Sequence, residues 1–164
     1  MADESKGIEA GEEVITRRDA PPARTRRLLG VVIGNSAFPS LQDQDLPECV
    51  GDADAMTRCL REDLHAAKGD VWSLHNASVA DMRGAVLAML DALEPGSTAV
   101  LYFSGHGREC NGDMLMMASG SAGGELSLLE VLGFATLRIS AESDMSDVTL
   151  VVLLDCCRSL SVGT

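Results

Sequence analysis

The sequence is poor in aromatic residues, which make up 3% of its 164 residues, although apolar residues of all kinds make up 46%. A chain of this length corresponds to about one domain. Its core must therefore be aliphatic, built from Leu, Val, Ala and Met. The composition excludes a chain that is disordered throughout, a collagen and a coiled coil.

Long apolar runs and paired cysteine motifs are also missing. No run approaches the roughly 20 residues of a membrane span, and no secretory segment follows Met1. The five cysteines are odd in number and form no Cys-x-x-Cys motif, and the three histidines are scattered. These absences argue against a disulfide scaffold and a metal site. We therefore predict a cytoplasmic protein with no membrane association, no metal and no cofactor.

Basic residues are scarce outside the N-terminal segment. Six of the 25 acidic and six of the 13 basic residues fall within residues 1–27, which leaves 19 acidic and seven basic residues in the remainder. A body this acidic argues against nucleic-acid binding, which needs a basic surface. It suits a basic partner or substrate, although acidity can also serve solubility alone.

The chain divides into a tail and one domain. Residues 1–27 are rich in charge, contain Pro21 and Pro22 and show no helical or strand period, so we predict a disordered tail. Residues 28–164 form the predicted domain.

Four short apolar runs in this domain predict buried strands, at residues 28–33, 71–74, 98–103 and 148–154. Helical stripes of apolar residues separate them, from Glu48 to about Leu64, after the capping box Ser78-x-x-Asp81, and over residues 126–140. The glycine-rich residues 108–124 predict a hairpin or an irregular excursion. The order predicts an α/β fold, with a mostly parallel sheet and helices on both faces.

Reactive residues follow the last two strands. The third strand opens into Ser-Gly-His-Gly with His106, and the fourth into Asp-Cys-Cys-Arg. Sites in parallel sheets form beyond the carboxyl ends of the strands. A thiolate can attack a carbonyl, and a histidine can supply that thiolate and then protonate the leaving amine. Either motif alone also fits a glycine turn or a buried cysteine.

Taken together, these segments resemble the large-subunit region of caspase-like cysteine peptidases, including metacaspases and paracaspases. Four blocks carry the resemblance in family order: LLGVVIGNSAF, CVGDADAM, VLYFSGHGRE with NGDML, and VVLLDCCRS. The blocks cover residues 28–160. His106 and Cys157 lie 51 residues apart, close to the roughly 50 of caspase signatures. The resemblance implies a caspase-like three-layer sandwich.

The resemblance also implies roles for individual residues. Family nucleophiles directly precede an Arg or His, which selects Cys157 over Cys156. His106 would be the general base and acid, and the N–H groups of Gly107 and Cys157 would bind the oxyanion. If the strand stays extended past its end, Asp155 and Cys157 share a face and Cys156 points away.

Substrate preference follows from two acidic positions. Metacaspases and paracaspases have an aspartate where this chain has Asp155, and they use it with a second acid, matched here by Asp52, to bind Arg or Lys. The predicted activity is therefore a cysteine endopeptidase cutting proteins and peptides after basic residues. The simpler alternative for either carboxylate is a solvated surface residue.

Two features depart from the family pattern. Arg158 stands where most metacaspases have His, and the small-subunit half that normally follows is missing. The alternative function is thus a catalytically silent interaction module, or a fragment needing a small-subunit partner. Calcium dependence occurs in metacaspases, but no ligand set can be transferred to this sequence. A nucleotide-binding fold gains little support, because no G-x-G-x-x-G or Walker pattern is present.

Overall fold

A computed structural model describes residues 26–39, 45–120 and 123–157, together with the backbone of 159–160. The predicted tail lies almost wholly outside the described residues, as does Arg158. Three helices are present within the described part of the chain: α1 (Glu48–Arg58), α2 (Val79–Asp91) and α3 (Leu128–Ser140). The strands are β1 (Leu28–Gly34), β2 (Val71–His75), β3 (Thr98–Ser104), β4 (Gly107–Cys110), β5 (Asp113–Met117), β6 (Glu125–Ser127), β7 (Thr149–Asp155) and β8 (Ser159–Leu160).

The main sheet is parallel throughout and has the strand order β2-β1-β3-β7. The four predicted strands are confirmed, with ends that differ by one residue. Gly34 of β1 pairs with Ser104 of β3, and Ser104 pairs with Asp155 of β7. The carboxyl ends of three neighbouring strands therefore meet along one edge of the sheet.

Helices cover both faces of this sheet, as predicted. On one face, α2 and α3 bury an aliphatic core against β1, β3 and β7, with Met82, Val86 and Val131 among its members. On the other face, α1 packs Ala53 against Val32 of β1 and its neighbours. The sheet is thus the middle layer of three.

Both helices predicted on either side of β2 in the sequence are present in the structure. The capping box of α2 is confirmed, because the Ser78 hydroxyl accepts from the Asp81 N–H and the Asp81 carboxylate accepts from the Ser78 N–H. The helix that begins at Glu48 ends close to its predicted end, but it is not α-helical throughout. Its α-helical part ends at Arg58, and the chain continues as a π-helical turn, Cys59–Asp63.

A second, smaller sheet has the order β6-β5-β4-β8. The hairpin expected in residues 108–124 is formed by β4 and β5, whose tight turn places Asn111 and Gly112 at positive φ. The predicted helix over residues 126–140 is wrong in its first turn. Residues 126 and 127 belong to β6, and α3 begins only where the Ser127 hydroxyl caps the Glu130 N–H.

The ordered body begins before the predicted boundary at Leu28. The guanidinium of Arg27 makes two hydrogen bonds to the Asp70 carboxylate, at 2.9 and 2.6 Å, and one to Glu94 at 2.8 Å. This pairing lowers the pKa of Asp70 below its ordinary value of 3.8. Arg27, which the sequence assigned to the tail, therefore fastens the start of β1 to the start of β2.

Candidate active site

The two reactive motifs lie side by side, because β3 and β7 are neighbouring parallel strands. Ser104 and Asp155 are paired in register, and the Gly105 N–H donates to the Asp155 carbonyl at 3.3 Å, which extends the pairing by one residue. His106 and Cys157 each follow their paired residue by two positions. The fold therefore brings the imidazole and the thiol to the same edge of the sheet.

At Gly107, the chain that follows β3 contacts the segment that follows β7. A Cβ at this position would lie 2.8 Å from Cys156 Sγ and 3.2 Å from the Cys157 carbonyl oxygen. Contacts this close exclude any side chain unless one loop moves. The absence of a side chain therefore allows the backbone after His106 to pack directly against the cysteine pair.

The two adjacent cysteines occupy different environments. Cys156 packs against the core formed with α2 and α3, whereas Cys157 is exposed. This is the alternation expected of an extended chain. The exposed thiol is the one that a substrate can reach.

His106 is half-buried and is held from two sides. Its ring centroid lies 4.5 Å from that of the buried Phe38, with the rings tilted by 59°. Its carbonyl accepts a hydrogen bond from the Met117 N–H at 2.9 Å. The aromatic ring limits how the imidazole can turn, and the hydrogen bond fixes the backbone that carries it.

Asp52 reaches this edge of the sheet on α1. A side chain at Gly34 would collide with the Cys49 carbonyl and would lie 2.7 Å from Ala53 Cβ. Because Gly34 has no side chain, the first turn of α1 lies directly against the end of β1. Asp52 lies about one turn beyond Cys49 and reaches the end of β3.

The two predicted acidic residues flank a small buried polar cluster. The buried Ser104 hydroxyl donates to the Asp52 carboxylate at 3.4 Å. Burial raises the pKa of the Cys49 thiol, a hydrogen bond between it and Ser104 lowers it, and the charges of Asp52 and Asp155 raise it further. Both carboxylates therefore act on the same buried group, although both are themselves exposed.

Tyr102, on β3, is affected by the same two carboxylates. Its pKa is raised by burial first and by the charge of Asp155 next, with Asp52 and Cys49 adding to the effect. Negative charge thus converges on a short stretch of surface with buried thiol and hydroxyl groups beneath it. A cationic side chain placed between the carboxylates would offset their repulsion.

Sequence reasoning missed Ser104, Cys49 and Tyr102 as parts of this site. A signal was present for two of them. Cys49 precedes Asp52 by one helical turn, so the two share a helix face. Ser104 precedes His106 by two residues at the end of a strand, the position equivalent to Asp155 before Cys157.

Other kinds of site find no support within the described ranges. No group of three or more histidine, cysteine or acidic side chains there could hold a metal ion. All five cysteines fall inside the described ranges and are free thiols. None of the helices described is long and apolar enough to cross a bilayer.

A parallel sheet that presents a histidine and a cysteine from neighbouring strand ends is an arrangement that suits a hydrolase with a cysteine nucleophile. The sequence model of the caspase domain of the C14 peptidases matches residues 27–163. The chain therefore belongs to the caspase domain family, whose members are cysteine peptidases acting on proteins.

A solved structure has a similar fold. The crystal structure of protein GSU0716 from Geobacter sulfurreducens is similar, with a TM-score of 0.61 and 22% sequence identity. The alignment covers 83% of this chain but 52% of that one, so this chain spans about half the length of the similar protein. A search of curated proteins finds no match to this sequence.

Proposed function

We propose that this chain is the large-subunit part of a metacaspase- or paracaspase-type endopeptidase that cleaves proteins after Arg or Lys. One observation carries the proposal. In the register between β3 and β7, His106 and Cys157 each follow by two residues a member of the paired residues Ser104 and Asp155. The first pair would perform the chemistry, and the second would form the specificity pocket with Asp52.

The proposed reaction begins when His106 takes the proton from the Cys157 thiol and the sulfur attacks the scissile carbonyl carbon. The N–H groups of Gly107 and Cys157 bind the oxyanion, which is supported by the close approach of these two residues. The C–N bond then breaks, and His106 delivers its proton to the leaving amine. Water, activated by His106, hydrolyses the thioester and restores the thiol.

The preference for basic residues is supported by the exposed carboxylates of Asp52 and Asp155. Ser104 links the two positions, because its hydroxyl contacts the Asp52 carboxylate and its backbone is paired in register with Asp155. The Ser104 hydroxyl that contacts Asp52 would orient this carboxylate. A guanidinium suits two separated carboxylates because its donors spread over a planar fork.

The second half of the enzyme would join at β7. This edge strand has no fully buried residue, and Leu153 is 41% exposed. We place a small-subunit partner there, supplied by the same polypeptide or by another chain. The five free thiols support a reducing, cytoplasmic setting for the enzyme.

An irreversible arginine-directed peptide probe, read by intact mass, tests the nucleophile and the specificity together. Wild type is expected to gain one probe mass, and Cys157→Ala none. Asp52→Asn and Asp155→Asn should each slow labelling by about tenfold or more, the scale of one charge-assisted hydrogen bond. Asp54→Asn, an exposed carboxylate on the same helix paired with His75, is the matched control and should label normally.

Iodoacetamide, which needs no specificity pocket, separates the possible outcomes. Variants that lose probe labelling but keep alkylation of Cys157 have lost substrate binding alone, as we expect for both asparagine variants. Full probe labelling of Cys157→Ala would disprove the assigned nucleophile. A wild type that is alkylated but never labelled by the probe would favour the interaction module, for which the open β7 edge is the specific support.

A further inference from the structure

Asn35 is a fully buried polar residue directly after β1, at the same edge of the sheet as the candidate site, with 0% of its surface exposed. In the sequence it is one residue of the block LLGVVIGNSAF, and no local pattern marks it as a buried polar residue. Burying an amide is costly unless its donors and acceptors are satisfied. Its hydrogen bonds therefore show which parts of the structure it joins.

Those bonds reach three separate elements. Nδ2 donates to the Met117 carbonyl at 2.9 Å and contacts Met82 Sδ at 3.7 Å. Oδ1 accepts from the Ala77 N–H at 2.8 Å, and the Asn35 N–H donates to the Ser104 carbonyl at 2.9 Å. One residue thus joins the end of β3, the end of β5 and the loop that precedes α2.

The residues fixed in this way are those that hold the backbone of His106. Asn35 holds the carbonyl of Met117, whose N–H in turn donates to the His106 carbonyl. Asn35 also lies against Gly105, where an added Cβ would be 3.3 Å from Asn35 Cβ and 3.2 Å from its carbonyl oxygen. The peptide before His106 is therefore packed against Asn35.

The face of the imidazole depends on the same segment. After Asn35, the N–H groups of Ser36 and Ala37 both donate to Asn76 Oδ1, at 2.8 and 2.9 Å. The Ser119 hydroxyl donates to the Ala37 carbonyl. These bonds deliver Phe38 to its position against the His106 ring.

We propose that Asn35 is a positioning residue that sets the orientation of His106 toward Cys157. The inference rests on the proposed function, in which His106 moves protons to and from the thiol and the leaving amine. Asn35 touches neither substrate nor thiol, and it acts through Met117 and through the loop that carries Phe38. Its removal should impair proton transfer and leave the acidic pocket, formed by α1 and β7, in place.

Asn35→Asp tests this most sharply because the side chain keeps its size. The carboxylate can still accept from the Ala77 N–H but cannot donate to the Met117 carbonyl. With an arginine peptide amide as substrate, and rates normalised to titratable active sites, we expect kcat to fall about 10–100-fold, a partial loss of the roughly 10²–10⁴-fold that general acid–base catalysis contributes. KM should stay within about threefold of wild type, because ground-state binding is unchanged.

Ser97→Ala is the matched control. Ser97 is also buried, and its hydroxyl accepts the Glu94 N–H at 3.0 Å, but it lies at the opposite end of the sheet. This variant should lower the melting temperature without changing kcat for the titrated sites. Should a buried carboxylate at position 35 prevent folding, Asn35→Ser leaves room for water and is expected to show the same loss of kcat.

Hydrogen exchange gives a second readout that needs no catalysis. In the Asn35 variants, peptides covering residues 104–119 should exchange faster, because the Met117 N–H loses the support for its bond to His106. The same peptides should be unchanged in Ser97→Ala. Wild-type kcat and wild-type exchange in Asn35→Asp would overturn the inference. An inactive wild type with faster exchange in the variant would instead remove the proposed function and leave the positioning of His106 established.

Discussion

The two edge strands of the main sheet, β2 and β7, differ in how far other elements cover them. At one edge, β2 has five residues, of which Val71 is buried and Ser73 and His75 are exposed, with α1 and α2 packed on its two faces. At the other edge, β7 has seven residues, five of them consecutive apolar ones, and none is fully buried. The helices cover the inner strands and β2, but they leave β7 partly uncovered.

This difference concerns function, because the uncovered edge is the one that leads to Cys157. Short, polar or covered edge strands avoid unwanted pairing with other chains, and β2 is both short and packed against helices. β7 satisfies none of these conditions along Leu150–Leu154. A strand with these properties is suited to the middle of a larger sheet, which supports our placement of the second half beside it.

The largest expected effect compares one substitution in two strands. Leu101 of β3 is fully buried, so Leu101→Ala should lower the free energy of unfolding by about 3 kcal/mol, through lost transfer energy and a cavity. Leu153→Ala on β7 should cost less than about 1 kcal/mol, because its side chain is already partly in water. Urea unfolding of the 164-residue chain measures both. Equal losses would show that β7 is covered in solution.

A smaller loss of stability is expected when the hydrogen bonds near the starts of β2 and β7 are removed. Asp70→Asn removes the carboxylate that anchors Arg27 beside β2, and should cost about 2 kcal/mol, as for hydrogen bonds between charged groups. Asp147→Asn is the counterpart before β7, where one carboxylate oxygen accepts the Gly96 N–H at 2.8 Å. It should cost about 1 kcal/mol, so a larger loss than for Asp70→Asn would reverse the comparison.

The Asp70 anchor also predicts a pH dependence. Since Arg27 lowers the pKa of Asp70, the folded state binds this proton less readily than the unfolded state. Its stabilisation is fully present above the ordinary value of 3.8 and is lost as the pH falls through the lower folded-state pKa. Wild type should therefore lose stability more steeply than Asp70→Asn below about pH 4. Parallel curves would contradict this assignment.

The smallest effect on stability, under about 0.5 kcal/mol, is expected for charges added to the exposed faces of the edge strands. Leu153→Lys should reduce self-association of the 164-residue chain, because a lysine discourages pairing at an apolar edge. His75→Lys on β2, which keeps a basic partner for Asp54, should leave association unchanged. Sedimentation over a range of concentrations distinguishes these cases, and equal behaviour of the two variants would remove the contrast between the edges.

The main elements could be predicted from sequence because their signals are local. The apolar runs at β3 and β7 and the capping box at Ser78 are read within a few residues. The start of α3 was misjudged because Leu126 fits both the helical stripe and the buried position it takes in β6. Pairing in the small sheet joins β4 to the distant β8, and no local pattern encodes such a contact.

The candidate site divides in the same way. His106, Cys157, Asp52 and Asp155 were proposed from motifs, and their catalytic and binding roles stay predictions. Asn35 could not be assigned from sequence, because a buried polar side chain is defined by partners that only the fold supplies. Asn35 lies 82 residues from the Met117 carbonyl that it holds.

Gly34 has a consequence for how this family member could change during evolution. Because Gly34 has no side chain, the Cys49 carbonyl and the Ala53 Cβ lie directly against the end of β1, and these contacts set the distance from the sheet to Asp52. Any larger residue at position 34 would displace the helix and carry this carboxylate away from Asp155. Divergence in substrate preference could thus begin with a mutation that leaves both acidic residues untouched, at a position that contacts no substrate.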